Sequence, residues 1–137
     1  MTINTTTAEY SILENQIIFC KLLKDAHVDI QEVNENFEAT MKLADGKPYA
    51  ALLDARTDTT VTKEARELAM SPEYGKLLVA HAIVTHSLAN RLIASFMIRF
   101  DKPRAPTKLF SNDSDALAWL KERLKEADLK EKKNSFS

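Results

Sequence analysis

From residue 54 to residue 62 the chain reads Asp-Ala-Arg-Thr-Asp-Thr-Thr-Val-Thr, and no other stretch gathers so many side chains that could do chemistry. Thr57, Thr59, Thr60 and Thr62 follow the carboxylate of Asp54 and the guanidinium of Arg56, with Asp58 among them. A helix start follows directly at Lys63-Glu64-Ala65-Arg66. A phosphate placed there would meet free backbone N–H groups and the positive end of the helix dipole. Phosphorylated Thr59, Thr60 or Thr62 would therefore be a charge switch that creates or blocks a partner surface. The same residues suit plain helix capping and turn formation, and one threonine can do both. Asp54, Arg56, Thr57, Asp58, Thr59, Thr60 and Thr62 are thus the candidate phosphoacceptor or partner-contact residues.

Asp54 also invites a rival chemistry. A response-regulator receiver carries a phosphoacceptor Asp at the end of a central strand, a Thr or Ser ending the next strand and a Lys near the last; Asp54, Thr85 and Lys108 mimic that spacing. The receiver also needs an acidic pair at the end of its first strand, giving oxygen ligands to Mg²⁺. Here the first strand ends near Glu14-Asn15 and the second reads Phe19-Cys20-Lys21-Leu22-Leu23-Lys24-Asp25, with no paired carboxylates. Pro106 precedes Lys108, the reverse of the receiver's Lys-Pro order. The residues point instead to Asp54 pairing with Arg56 or Arg66, or capping the loop.

The remaining reactive types are sparse. His81 and His86 are five apart along a strand, which puts them on opposite faces, and His27 stands in a strand-to-helix connection, so no metal site is expected. Cys20 is the sole cysteine and lies in the apolar run Ile17-Ile18-Phe19-Cys20, the setting of an inert packing residue. Two glycines, Gly46 and Gly75, are too few for a phosphate-cradling loop. No catalytic residue and no cofactor is expected.

The elements that must position these groups follow from periodicity and punctuation. Tyr10–Leu13 and Gln16–Leu22 read as two strands joined by a tight turn at Glu14-Asn15, an antiparallel hairpin. Asp29 and Glu32 form a D-x-x-E capping pattern ahead of a helix over Ile30–Ala44, whose apolar face is Ile30, Val33, Phe37, Met41 and Ala44. Asp45-Gly46 stops it. Tyr49–Asp54 is continuously apolar up to its last residue and so a central strand. Thr62 or a neighbour caps a second helix, Ser71-Pro72-Glu73 looks like a fresh helical start, and Leu77–Val84 is another buried strand. Ser87 caps a third helix over Leu88 to about Phe100. Thr107–Phe110 is a short last strand, and Asn112-Asp113-Ser114 caps a fourth helix running to about Glu126. Residues 1–8 and 127–137 read as a disordered polar start and a polar tail around one domain over 9–126. The order is ββαβαβαβα: an α/β fold with a mixed five-stranded sheet, an N-terminal β-hairpin and about four helices.

The order and several local signatures resemble the STAS family, whose founding members are anti-sigma-factor antagonists, and in particular its small bacterial members. The resemblance rests on Asp54-Ala55-Arg56 followed by Lys63-Glu64-Ala65-Arg66, on Pro106-Thr107-Lys108-Leu109-Phe110, and on Ala116-Leu117-Ala118-Trp119-Leu120, and spans roughly residues 9–124. It implies a regulatory protein-interaction module. In regulatory STAS proteins a kinase phosphorylates a Ser or Thr at the start of the helix after this strand, within a D-S-S-G or D-S-T-G signature. That signature is replaced here by Thr57 to Thr62. STAS-like proteins also include forms likened to CRAL-TRIO lipid carriers, which implies a second role, carrying or sensing a small apolar ligand.

The third predicted helix bears on that second role. Its inner face is Leu88, Ala89, Leu92, Ile93, Phe96 and Phe100, which leaves Ala94, Met97 and Ile98 outside it on a wheel of about 100° per residue. Those three are candidates for an apolar-ligand or homodimer surface, rimmed by Arg91, Arg99, Lys102 and Arg104. Trp119 reads as the edge of the core.

Bulk composition sets outer limits. The chain has 137 residues, 45% hydrophobic and 28% charged, and a formal net charge of −1. It is long enough for one real core, and it carries no global basic field for nucleic acid. No stretch approaches the roughly 20 apolar residues of a membrane helix, and MTINTTTAEY is not a signal peptide. The sequence therefore leads to a non-enzymatic cytoplasmic module with an unidentified protein partner, either alone or as a homodimer. The alternative is a carrier or sensor of a small apolar ligand.

Overall fold

A computed structural model describes residues 2–14, 16–87 and 105–135. The main sheet has six strands in the order β1-β2-β3-β5-β7-β8: β1 (Thr2–Asn4), β2 (Ala8–Glu14), β3 (Ile17–Leu22), β5 (Tyr49–Asp54), β7 (Leu78–Val84) and β8 (Thr107–Phe110). Two further strands, β4 (Ala26–Val28) and β6 (Thr59–Val61), form a separate parallel ladder. The described helices are α1 (Ile30–Ala44), α2 (Lys63–Ala69) and α3 (Asp113–Ser135). The first three strands are antiparallel neighbours, and β3, β5, β7 and β8 run parallel. This is the predicted α/β layout with its N-terminal hairpin, with six strands in the main sheet rather than five. The predicted helix over Leu88–Phe100 lies outside the described residues.

Three differences from the sequence reading have physical causes. Residues 2–4 pair with β2 instead of fraying. The turn after them is anchored to α1: the Thr5 hydroxyl bonds Asn36 Oδ1 at 2.6 Å, and the Thr6 hydroxyl donates to Glu35 at 3.0 Å. The last helix continues past Glu126 to Ser135. Its extension carries Ala127, Leu129, Glu131 and three lysines, good helix formers, with an i,i+4 pair between Lys132 and Asp128. Ser71-Pro72-Glu73 opens turns rather than a helix.

Strand alternation splits the core between two faces. On one face Ile17, Ala50, Leu52, Ala80, Ala82 and Val84 pack against Ala116 and Leu120 of α3, and all eight are at most 1% exposed. On the other, Tyr10, Ile18, Cys20 and Leu22 meet Ala39 and Leu43 of α1. The cap of α1 is the predicted one: the Asp29 carboxylate accepts from the Ile30 N–H at 2.8 Å, and Glu32 accepts from the Asp29 N–H at 2.9 Å. Asp45 (φ 53°) and Gly46 (φ 74°) end the helix in the left-handed region.

Candidate functional site

The threonine-rich segment is a structural ladder more than a free loop. Strand β6 pairs with β4 through Ala26–Thr59, His27–Thr60 and Val28–Val61, which ties the connection before α1 to the one before α2. The Thr57 hydroxyl donates to the Leu22 carbonyl at 3.0 Å. Thr62 is the N-cap of α2, accepting from the Ala65 N–H at 3.1 Å. Its hydroxyl also donates to Asp29 at 3.0 Å, so the caps of α1 and α2 are joined to each other. The Ile30 N–H and the Thr62 hydroxyl hold the Asp29 carboxyl below its usual range. Thr60 is exposed and bonds the His27 ring at 2.8 Å, Thr59 is half-buried, and Asp58 is exposed. The sequence carried no clear sign of this ladder, because two three-residue strands fall below any useful periodicity.

Asp54 and Arg56 are brought together as expected, and Arg66 is not their partner in this pair. The Arg56 side chain grips Asp54 with Nε at 2.9 Å and Nη2 at 3.0 Å, and the Arg56 N–H adds a third bond at 3.1 Å. Arg56 Nη2 continues to Asp113, at 3.2 Å, in the first turn of α3. The guanidinium holds the Asp54 carboxyl below its usual range although burial pushes the other way. This pair fixes the end of β5 to the start of α3. Among the described residues the receiver-like trio is not hydrogen-bonded together: Lys108 Nζ lies 5.5 Å from the centre of the Phe110 ring, and the buried Thr85 hydroxyl has no hydrogen-bond partner there. Among the described residues no His, Cys, Asp and Glu cluster could hold a metal ion.

A cavity of about 260 Å³ lies between the sheet and the α1–α2 layer. Ile18, Cys20, Ala51, Leu53 and His81 supply its floor, Val33, Phe37 and Thr40 of α1 one wall, and Ala65 and Ala69 of α2 another. Val61 of the ladder also lines it while being 49% exposed, which puts β6 at the surface end. The rings of Phe37 and Tyr74 stack with centres 4.1 Å apart, joining α1 to the turns after α2, and the Tyr74 hydroxyl donates to Asn34. The predicted apolar-surface residues Ala94, Met97 and Ile98 lie outside the described residues.

Four titratable groups of the lining are pushed toward their neutral forms. Burial raises the Tyr10 hydroxyl, which is also approached by Cys20 and Thr40, and lifts the Cys20 thiol to about 12 and Tyr49 to about 12. Burial also lowers His81 to about 4. A thiol held at that value is a poor nucleophile. The described lining can hold an apolar molecule.

Comparison with known proteins agrees with this architecture. No curated protein matches the chain. The structure is similar to that of an uncharacterised protein of the DUF3478 family from Shewanella loihica PV-4, which has a SpoIIAA-like fold. The TM-score is 0.64 at 19% identity over 88% of this chain and 98% of that one. The likeness establishes a SpoIIAA-like, hence STAS-like, fold. With residues 11–124 matched by its profile, the chain belongs to the family described as a domain of unknown function, DUF7793.

Proposed function

We propose that this protein is a non-enzymatic regulatory module of STAS type. Its input is a small apolar ligand held between the sheet and the α1–α2 layer. Its output is a protein contact made by the β4–β6 ladder and α2, in a cytoplasmic setting. The single observation that carries the reading is the apolar cavity of about 260 Å³. An apolar cavity of about 150 Å³ accepts benzene, so by proportion this one has room for a ligand of roughly ten heavy atoms. Val61 links input to output, since it faces both the cavity and the surface of the ladder.

The phosphorylation reading narrows under the same geometry. Thr57 and Thr62 have their hydroxyls engaged within the fold, whereas Thr60 is exposed beside His27. A phosphate on Thr60 would modify the proposed output surface without breaking either helix cap.

Native mass spectrometry of the protein purified from its own host, under mild and then denaturing conditions, tests the reading. A released small-molecule mass supports the ligand input. A phosphate increment mapping to Thr60 would favour the switch instead. Bare protein that also fails to bind an apolar fluorescent probe would overturn the ligand input.

A further inference from the structure

The cavity floor has a definite pattern across the strands. Register pairs place Ile18 beside Ala51, Ala51 beside His81, and His81 beside Thr107. His81 therefore stands between apolar Ala51 and Thr107 of the edge strand. Other polar groups of the lining are engaged within the fold: Thr107 donates to the Ala105 carbonyl at 3.1 Å, Thr40 donates to the Asn36 carbonyl at 2.9 Å, and Asn36 bonds Thr5 and Thr7. Tyr10 has Cys20 and Thr40. The His81 ring and the Tyr49 hydroxyl have no hydrogen bond to the described residues, and Tyr49 is only 4% exposed. No Lys, Arg, Asp or Glu is among the described lining residues.

Resting on the reading of this cavity as a ligand site, we infer that its occupant is electrically neutral and carries one hydrogen-bonding group, a hydroxyl or carbonyl, that binds the His81 ring. A neutral imidazole offers one donor and one acceptor, so either group can be met without an ion. An unpaired charge brought into such surroundings would lose its hydration with no counter-charge from the described lining. The described lining therefore favours neutral groups over carboxylates and ammonium groups of equal chain length.

The test uses the full chain and the neutral fluorescent probe naphthalene, whose size matches the cavity, displaced at neutral pH by decanol, decanoate or decylammonium. Decanol is expected to compete at least about ten-fold better than either ion, an effect of the size that charge burial brings. His81→Leu is expected to weaken decanol about five- to ten-fold, the size of one lost hydrogen bond, while the probe itself still binds. His81→Gln, which keeps a neutral donor and acceptor, is expected to retain most of the decanol affinity, and Tyr49→Phe is expected to leave it unchanged. Decanoate matching decanol overturns the neutral occupant, with the cavity reading intact. An effect in Tyr49→Phe and none in His81→Leu overturns the assignment to His81. If the probe does not bind the wild-type protein, the cavity reading itself fails and this inference with it. The wild-type headgroup series decides the charge question even should a His81 variant fail to fold.

Discussion

The two faces of one sheet are built differently. The α3 face carries alanines at Ala50, Ala80 and Ala82, and these let the helix settle close enough to bring Leu120 to 0% exposure. The opposite face carries larger groups, Tyr10, Tyr49, Leu53 and His81, and is nonetheless hollow. The reason lies in where the helices are anchored. Helix α3 is pinned at its first turn by the Arg56 bridge to the end of β5. Helix α2 packs chiefly on α1, and both start from the β4–β6 ladder, joined cap to cap through Thr62 and Asp29. A layer held by its own ladder need not press onto the central strands. The closed face supplies stability, and the hollow one leaves room for function.

Truncation should expose that difference most strongly. Leu120→Ala removes fully buried atoms from a close-packed site and is expected to cost about 3 kcal/mol. Leu53→Ala removes atoms that already border empty space and is expected to cost no more than about half of that. Urea denaturation of both variants checks the ratio; equal losses would mean the two faces are packed alike.

The next effect is confined to the hollow face. Burial lowers His81 from 6.5 to about 4, so between those values the unfolded chain binds a proton that the folded chain refuses. Stability should therefore be full above about pH 6.5 and fall as the pH drops toward 4, by as much as about 3 kcal/mol. His81→Leu should flatten this acid limb when stability is followed from pH 7 to pH 4. An unchanged limb would place its origin in other groups.

These contrasts also show what the sequence could reveal. The central strands, the α1 cap and the Asp54–Arg56 pair were legible because each is local: a continuous apolar run, a D-x-x-E pattern, two residues separated by one. The antiparallel hairpin and the mixed character of the sheet followed from short turns and helical crossovers. The ladder was not legible, since its three-residue strands acquire meaning only from each other across more than thirty residues. The cavity was not legible either. An empty volume is a property of how closely two layers approach, and identical apolar periodicity would describe a filled face. His81 read as an ordinary strand residue because its neighbours across the sheet, Ala51 and Thr107, are distant in the chain.

Breaking the pin of the closed face should cost less than hollowing its core. Arg56→Ala leaves the Asp54 carboxylate, in a side chain 10% exposed, without its bidentate partner, and is expected to cost about 2 kcal/mol at neutral pH. The sign follows from the carboxyl being held low in the fold: the pair's stabilisation is present above the unfolded value of 3.8 and is lost as the pH falls below it. Wild type and Arg56→Ala should therefore converge in thermal stability at strongly acidic pH. A gap that persists there would assign the loss to packing of the arginine stem.

The smallest effect in free energy is the sharpest test of the hollow face. Ala51 stands on the cavity floor between Ile18 and His81. On a filled face, Ala51→Leu would force neighbours off their rotamers and destabilise by about 1–3 kcal/mol. Over an empty volume the added atoms gain contacts instead, and the fold should gain up to about 1 kcal/mol. The same substitution should lower the affinity for naphthalene, because the new side chain takes space the probe needs. A variant both more stable and less able to bind can arise only if the space is real in solution and open to ligand. Destabilisation with unchanged binding would place the probe elsewhere on the molecule and show that the α1–α2 layer closes onto the sheet as tightly as α3 does.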